Sequence, residues 1–313
     1  MTSIQHAEVV FSLTHRFIHS PQAVRALTRL GEIHGDTRRT GASKGLLIQG
    51  PSGVGKSTLI TEYTRQLVEE RASDSNNRIV LSVEIPSSPT KKNLAAAMLT
   101  ALRDPFAEAR GHSAEVKISR VILLLKKLGI EVLVLDEAQH LVDYLRNGAY
   151  EAADWIKSLM NDTCITFVLV GLSRTENLLL ANEQLRRRFS ATVDYERFTW
   201  TETTAQQFVM LLGAIAGQLP VQSIDFTHLE IAQRLHLASY GLIDYLIKIV
   251  DRAVWLVLDR DLPGITLPLL AEAFEDEVWS KAPADRNPFG PNFDFKPLVE
   301  HGEPFEDFDA RKR

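Results

Sequence analysis

The strongest pattern in the sequence is a glycine-rich segment that matches G-x-x-x-x-G-K-[ST] without a mismatch. It consists of Gly50, Pro51, Ser52, Gly53, Val54, Gly55, Lys56, Ser57 and Thr58. The apolar run 45–49 before it is typical of a buried strand, and the apolar spacing of 59–68 after it indicates a helix. Strand, glycine loop and helix N-terminus together form an anion site, because backbone N–H groups point inward and the helix dipole adds positive potential. A glycine-rich turn that carries Lys-Ser by chance is the alternative, but it explains neither flank.

Two side chains of this segment have expected roles toward a bound nucleotide. Lys56 is expected to reach the β- and γ-phosphates, and the Ser57 hydroxyl is expected to ligate Mg²⁺. The segment 50–58 therefore predicts a nucleoside triphosphate site, with ATP and Mg²⁺ as the cofactors.

A second informative stretch is the largely apolar run 130–135, which is followed directly by Asp136 and Glu137. Such a strand places its carboxylates at the carboxyl edge of an α/β sheet, where ligands bind. We expect Asp136 to hold Mg²⁺ through its water shell and Glu137 to orient and deprotonate the attacking water. An exposed acidic turn is the alternative, and the glycine segment makes it less favoured.

The order of apolar runs and helical patterns predicts the fold class. Apolar runs at 78–85, 164–170 and 191–195 add three strands to the two already named, and helical spacing lies between them. Alternating strands and helices imply an α/β fold, with a five-stranded parallel sheet between two layers of helices.

Four segments are expected along the chain. Residues 1–45 form an N-terminal helical segment, 46–198 the nucleotide-binding core, and 199–281 a smaller helical domain. Residues 282–313 hold five of the 13 prolines and five of the 14 phenylalanines. They form either a flexible tail with docking aromatics or a tail that packs along its own domain.

Composition indicates an ordinary soluble protein. Of the 313 residues, 45% are hydrophobic and 24% are charged, and the net charge of −5 argues against a wholly basic surface. The single cysteine, Cys164, excludes an intramolecular disulfide. No signal peptide pattern and no membrane-spanning apolar stretch are visible, so we expect a cytoplasmic location.

The order of these motifs resembles that of the AAA+ ATPases: glycine loop, Asp-Glu strand, Arg186-Arg187-Arg188-Phe189, then a helical lid. Within them, the chain is similar to the TniB-type transposition ATPases over about residues 10–275. The segments that carry this closer resemblance are Arg16-Phe17-Ile18-His19, Gly45-Leu46-Leu47-Ile48, Asp136-Glu137-Ala138-Gln139-His140 and Phe198-Thr199-Trp200.

The resemblance implies roles for further residues. Ser173, after the fourth strand, would sense the γ-phosphate, or alternatively would only cap a helix. Arg188 would be an arginine finger that reaches a neighbouring subunit's nucleotide, with Arg187 as second choice and a solvated or DNA-facing cluster as the alternative. Where AAA+ lids often carry Gly-x-x-Arg, this chain has Asp244, so either the lid does not sense the γ-phosphate through arginine or the matching pattern has another register.

The resemblance also implies partners. Such ATPases assemble as rings or filaments on double-stranded DNA when ATP is bound, and they recruit a transposase, with a target-selection protein as a further partner. Sequence-independent phosphate contacts would come from basic residues in two predicted helices, although a solvated charged face is the favoured explanation for any single one. These candidates are Lys91, Lys92, Lys117, Arg120, Lys126 and Lys127.

Other functional classes remain as alternatives. The nearest is an AAA+ loader or secretion-type ATPase that acts on a protein partner. A GTPase or small-molecule kinase is disfavoured, because the sequence has no Asn-Lys-x-Asp motif and an Asp-Glu pair suits hydrolysis. A nuclease or transposase is disfavoured because no acidic triad stands out beyond the nucleotide site.

Overall fold

The computed structural model describes residues 11–14, 16–71, 79–109, 111–143, 148–306 and 308. The chain divides into two compact units. One unit is Gln22–Glu196, and the other joins the described residues up to Pro21 with those from Arg197 onward. No helix in these described ranges is long and apolar enough to cross a bilayer.

The unit Gln22–Glu196 contains a five-stranded parallel sheet, as predicted. Its strands are β1 Gly45–Gln49, β2 Val80–Glu84, β3 Val132–Asp136, β4 Thr166–Gly171 and β5 Phe189–Asp194. Their order across the sheet is β2-β3-β4-β1-β5, and each neighbouring pair is parallel.

Helices alternate with these strands, because parallel strands need long crossover connections, which are usually helical. They are α1 Pro21–Thr40, α2 Lys56–Glu70, α3 Lys91–Ala101, α4 Ala114–Lys127, α5 His140–Asp143, α6 Gly148–Thr163, α7 Glu176–Leu180 and α8 Glu183–Arg188, with a 3₁₀ turn at Ser173–Thr175. Helix α1, which the sequence analysis assigned to a separate N-terminal segment, lies in the same unit as the sheet.

The three inner strands β1, β3 and β4 form the core of this unit. Their apolar side chains are buried on both faces, for example Leu47, Leu133 and Phe167. The edge strand β2 alternates between buried and exposed positions because one of its faces is open. Since all five strands are parallel, their carboxyl ends lie at one edge of the sheet.

In its described residues, the second unit is built mainly from four α-helices and one short strand pair. The helices are α9 Ala205–Ala216, α10 Leu229–Ser239, α11 Ile243–Asp259 and α12 Leu267–Glu277, and the strands are β6 Gln222–Ser223 and β7 Gly264–Ile265. The helical lid was predicted, whereas the parallel pair was not, because two-residue strands have no hydrophobic periodicity.

The segment 282–306 folds onto this second unit. Phe289, Phe293 and Phe305 are buried, and the Arg234 guanidinium donates to the carbonyl oxygens of Pro288 and Gly290. The expectation of a flexible tail is therefore not met in these described residues. The alternative of packing along its own domain agrees with the contacts.

A buried histidine of α10 contacts the segment that leads from β5 into α9. His236 Nε2 lies 2.8 Å from the carbonyl oxygen of Phe198, and the imidazole packs edge-on against the Phe208 ring. Gly241 has a φ of 71°, and a Cβ there would collide with the same carbonyl oxygen. Burial lowers the pKa of His236 to about 4, because the cation would lose its hydration.

We therefore predict that acid destabilises this unit. The unfolded chain binds a proton at His236 near pH 6.5, whereas the folded chain binds it only near pH 4, so stability falls as the pH drops through this window. The loss attributable to His236 should reach about 3 kcal/mol. The measurement is the free energy of unfolding of wild type and His236→Gln from pH 7.5 to 4.

Exposed His228 provides a matched control. His228→Gln should retain the pH dependence of the wild type, whereas His236→Gln should reduce it, since His34, whose pKa is also lowered by burial, remains. An unchanged slope in His236→Gln would contradict this assignment.

Candidate active site

The glycine-rich segment forms a loop between β1 and α2. Gly53 and Gly55 have φ values of 78° and 95°, which glycine adopts without a steric penalty. Gly50 packs so closely on the carbonyl oxygen of Tyr195 that a side chain has no room, and its N–H donates to the carbonyl oxygen of Gly171 at 3.1 Å. The loop conformation therefore requires glycine at these three positions.

Lys56 begins α2 and turns back over the loop. Its Nζ donates to the carbonyl oxygens of Gly50 at 2.9 Å and Pro51 at 2.6 Å. Burial lowers the pKa of Lys56, while the nearby carboxylates of Glu137 and Asp136 oppose this effect. The ammonium group thus lies beside the loop with only neutral carbonyl oxygens as its hydrogen-bond acceptors in the described structure.

Ser57 and Asp136 meet at the carboxyl edge of the sheet. The Ser57 hydroxyl donates to a carboxylate oxygen of Asp136 at 2.8 Å. Asp136 is the last residue of β3, and Ser57 lies in the first turn of α2. A hydroxyl and a carboxylate side by side are hard oxygen ligands, which fit Mg²⁺. The residues present therefore suit the metal that the sequence predicts.

Glu137 has an unusual backbone conformation. Its φ is 54°, in the left-handed region that residues with a side chain rarely adopt. Its N–H donates to the other oxygen of Asp136 at 2.9 Å, and its carboxylate accepts a hydrogen bond from the side-chain amide of Gln139. Strained backbone of this kind is concentrated at functional sites.

The segment after β4 brings Ser173 to the same edge of the sheet. Ser173 is exposed and opens the 3₁₀ turn, whose cap position is Leu172, so capping does not account for the serine. The adjacent Arg174 makes a two-pronged ion pair with Asp143 of α5.

The two candidate finger residues have different partners. Arg188 ends α8 and donates to the side-chain oxygen of Asn161, which is neutral. Arg187 makes an ion pair with Glu183, one turn earlier on the same helix, at 2.6 Å.

The predicted DNA contacts divide into two groups. Lys91 and Lys92 are exposed in the first turn of α3, and Lys126 and Lys127 are exposed in the last turn of α4. The prediction for Lys117 is wrong: its side chain is 2% exposed, and its Nζ donates to the carbonyl oxygen of Ala107.

Arg120 is half-buried and has an internal partner, and its assignment as a DNA contact stays a prediction. Its guanidinium is paired with the buried carboxylate of Asp104 and lies over the Phe106 ring, 4.9 Å from the ring centroid. Arg120 therefore holds the α3–α4 connection together, and its charge is already neutralised.

In the second unit, Asp244 occupies the first turn of α11 and pairs with Lys248 at 2.7 Å. Negative charge is favourable at a helix N-terminus, so Asp244 has a structural reason at this position. The aspartate at the position of the Gly-x-x-Arg arginine therefore stabilises the start of α11.

The sequence alone did not predict site roles for Gln139 and Arg174. Gln139 follows Glu137 by two residues and was noted only as part of a resemblance. Its position two residues after the carboxylate was the available signal. The contact of Arg174 with Asp143 has no sequence signal, because it joins residues 31 positions apart.

Comparison with protein families decides the family. The model described as "Bacterial TniB protein" matches residues 10–199, which is more than half of the chain. The chain belongs to the TniB family. The resemblance predicted from the sequence is thus confirmed, although a comparison with curated protein sequences gave no significant match.

Solved structures show the same fold as this TniB-family chain. An ORC2 protein of Aeropyrum pernix, in ADPNP–ADP complexes, has a TM-score of 0.63 and 15% identity over 88% of this chain and 73% of that one. The ORC1 protein of Aeropyrum pernix in complex with DNA has a TM-score of 0.64 and 18% identity, over 87% and 68%. Domain III of the replication initiation protein DnaA of Thermotoga maritima has a TM-score of 0.54 and 14% identity, over 84% and 95%. The fold is that of the AAA+ ATPases.

The position of Lys56 leads to a direct prediction. Lys56→Ala should weaken binding of a fluorescent ATP analogue by about 100-fold or more, because the phosphate charge loses charge-assisted hydrogen bonds. The measurement is the dissociation constant by fluorescence anisotropy. Lys44→Ala is the matched control, since Lys44 lies in the same unit and pairs with Asp36. Equal affinity of Lys56→Ala and wild type would contradict the assigned role.

Proposed function

We propose that this protein hydrolyses ATP with Mg²⁺ and couples the reaction to the control of DNA transposition. The observation that carries the proposal is the group formed by Ser57, Asp136 and Glu137 beside the glycine loop. It combines a phosphate-binding loop, two oxygen ligands suited to a metal and a carboxylate suited to a base.

In this proposal the residues have distinct roles. The loop N–H groups and Lys56 bind the phosphates, and Ser57 and Asp136 hold Mg²⁺. When bound, the metal supplies positive charge that neutralises the phosphate oxygens. Glu137 accepts a proton from the attacking water, and exposed Ser173 contacts the γ-phosphate.

A second chain would complete the site through Arg188. A finger must leave its resting partner to reach a phosphate, and a neutral amide holds a guanidinium less firmly than a carboxylate does. The pairing of Arg188 with Asn161, against that of Arg187 with Glu183, supports Arg188 as the finger. We therefore propose a homo-oligomer, a ring or a filament, whose sites lie between neighbouring chains.

Double-stranded DNA is the proposed surface for this assembly. Lys91 and Lys92 are both exposed, and they place two positive charges at the N-terminus of α3, where the helix dipole disfavours cations. Lys126 and Lys127 lie at a helix C-terminus, where the dipole favours cations. The proposal therefore assigns the DNA contact to Lys91 and Lys92 first. The structural likeness to an ORC1 protein in complex with DNA agrees with it.

The finer proposal is a regulator that, in its ATP state on DNA, recruits a transposase and a target-selection protein. The second candidate is an AAA+ ATPase that acts on a protein partner only. Steady-state ATP hydrolysis with and without linear duplex DNA separates them. Stimulation by duplexes of unrelated sequence supports the first candidate, and hydrolysis that ignores DNA supports the second.

The shared site leads to a mixing prediction. Glu137→Gln should bind ATP but hydrolyse it poorly, because an amide cannot accept the proton. Arg188→Ala should also bind ATP and lose about 10³-fold in rate. An equimolar mixture on DNA should regain activity, since some interfaces pair an intact Glu137 with an intact Arg188. The measurement is the ATPase rate of each variant and of the mixture.

Arg187→Ala is the matched control for this experiment and should keep near wild-type turnover. A mixture no more active than its components, despite co-assembly, would exclude Arg188 as a finger that acts between chains.

The DNA contact leads to a salt prediction. The double variant Lys91→Ala/Lys92→Ala should bind all duplexes more weakly, and the slope of log affinity against log salt should fall by about 2. The control Lys281→Ala/Lys296→Ala removes the same charge from the other unit and should leave the slope unchanged. A loss confined to one DNA sequence, or no loss, would contradict this contact.

A further inference from the structure

The Gln139 side chain forms hydrogen bonds with both the Glu137 carboxylate and the segment after β4. This side chain is 4% exposed. The amide nitrogen Nε2 donates to Oε2 of Glu137, and the amide oxygen Oε1 accepts the N–H of Leu172 at 3.1 Å. A carboxamide is planar and rigid, so a contact that fixes one of its ends also sets the direction of the other.

The space around this amide is kept open by Gly171. A Cβ at position 171 would lie 2.7 Å from Oε1 of Gln139 and would also collide with the Thr175 hydroxyl. The carbonyl oxygen of the same glycine accepts the N–H of Gly50, the first residue of the phosphate loop. The segment Gly171–Leu172 is thus in contact with both the loop and the amide, and it leads directly into Ser173.

The backbone conformation of Glu137 does not by itself fix the position of its carboxylate. The left-handed φ of 54° and the N–H bond to Asp136 fix where the side chain begins. They do not fix where the carboxylate ends, because the side-chain torsions remain free to rotate. The hydrogen bond from Gln139 supplies that constraint.

We propose that Gln139 is a positioning residue, which holds the Glu137 carboxylate in place and links it to the segment that carries Ser173. This inference rests on the proposed function, in which Glu137 is the base. A displacement of the segment by a bound γ-phosphate would then move the amide, and with it the carboxylate. Gln139 itself contacts neither nucleotide nor water in this role.

Two substitutions separate the two contacts of the amide. Gln139→Leu removes both hydrogen bonds at nearly equal volume, whereas Gln139→Glu keeps an oxygen for the Leu172 N–H and loses the donor toward Glu137. Both should lower kcat by about 10- to 100-fold, because the base is misplaced, with the dissociation constant for ATP unchanged. Melting temperatures establish that both variants fold.

A double-mutant cycle distinguishes positioning from a general structural effect. In the Glu137→Gln background, Gln139→Leu should cause no further loss of kcat, because the residue acts through Glu137. Gln66→Leu is the matched control, since the Gln66 amide donates to the Glu62 carboxylate at 2.8 Å within α2. It should leave kcat unchanged.

Hydrogen exchange at the Leu172 amide tests the link without hydrolysis. Exchange measured by NMR should be at least about 10-fold faster in Gln139→Leu and unchanged in Gln139→Glu and Gln66→Leu. Unchanged exchange in Gln139→Leu would overturn the link, and wild-type kcat or additive losses would overturn the positioning role. A wild-type protein without ATPase activity would instead contradict the proposed function itself.

Discussion

The hydrogen bond between the Ser57 hydroxyl and the Asp136 carboxylate joins two parts of the chain that are 79 positions apart. It exists only because β3 and β1 run parallel, with β4 between them, so that the end of β3 faces the start of α2. Burial of the three inner strands on both faces holds the sheet together, because their apolar side chains are removed from water on either side. The candidate chemistry thus depends on the packing of apolar strands.

Within this frame, three groups of the site are hydrogen-bonded to other protein groups. Lys56 is bound to loop carbonyl oxygens, Ser57 to Asp136, and Glu137 to Gln139. In the proposed function, a nucleotide with its metal would offer Lys56 charged phosphate oxygens in place of neutral carbonyl oxygens, and would offer the oxygens of Ser57 and Asp136 the metal. Binding therefore exchanges internal contacts for contacts with phosphate and metal. In the proposed mechanism, the segment 171–173 would transmit this exchange through Gln139 to Glu137.

The sequence predicts the sheet and the nucleotide motifs because both depend on local patterns, namely continuous apolar runs and residues at fixed spacing. The sequence does not predict the environment of a side chain where that environment depends on tertiary packing. Lys117 and Arg120 read as surface charges, but one is buried and the other is paired with Asp104. The contact between Gln139 and Leu172 is not predicted either, because it joins residues 33 positions apart.

The central claim is that a nucleotide site built within one chain is completed by the next chain on DNA. Electron microscopy of the wild-type protein with linear duplex DNA and a non-hydrolysable ATP analogue tests it most directly. The account predicts ordered rings or filaments around DNA, with nucleotide at the glycine loop of each chain and the Arg188 guanidinium of its neighbour at the γ-phosphate. Separate chains that bind nucleotide without assembling on DNA, or assemblies with Arg188 remote from every nucleotide, would contradict it.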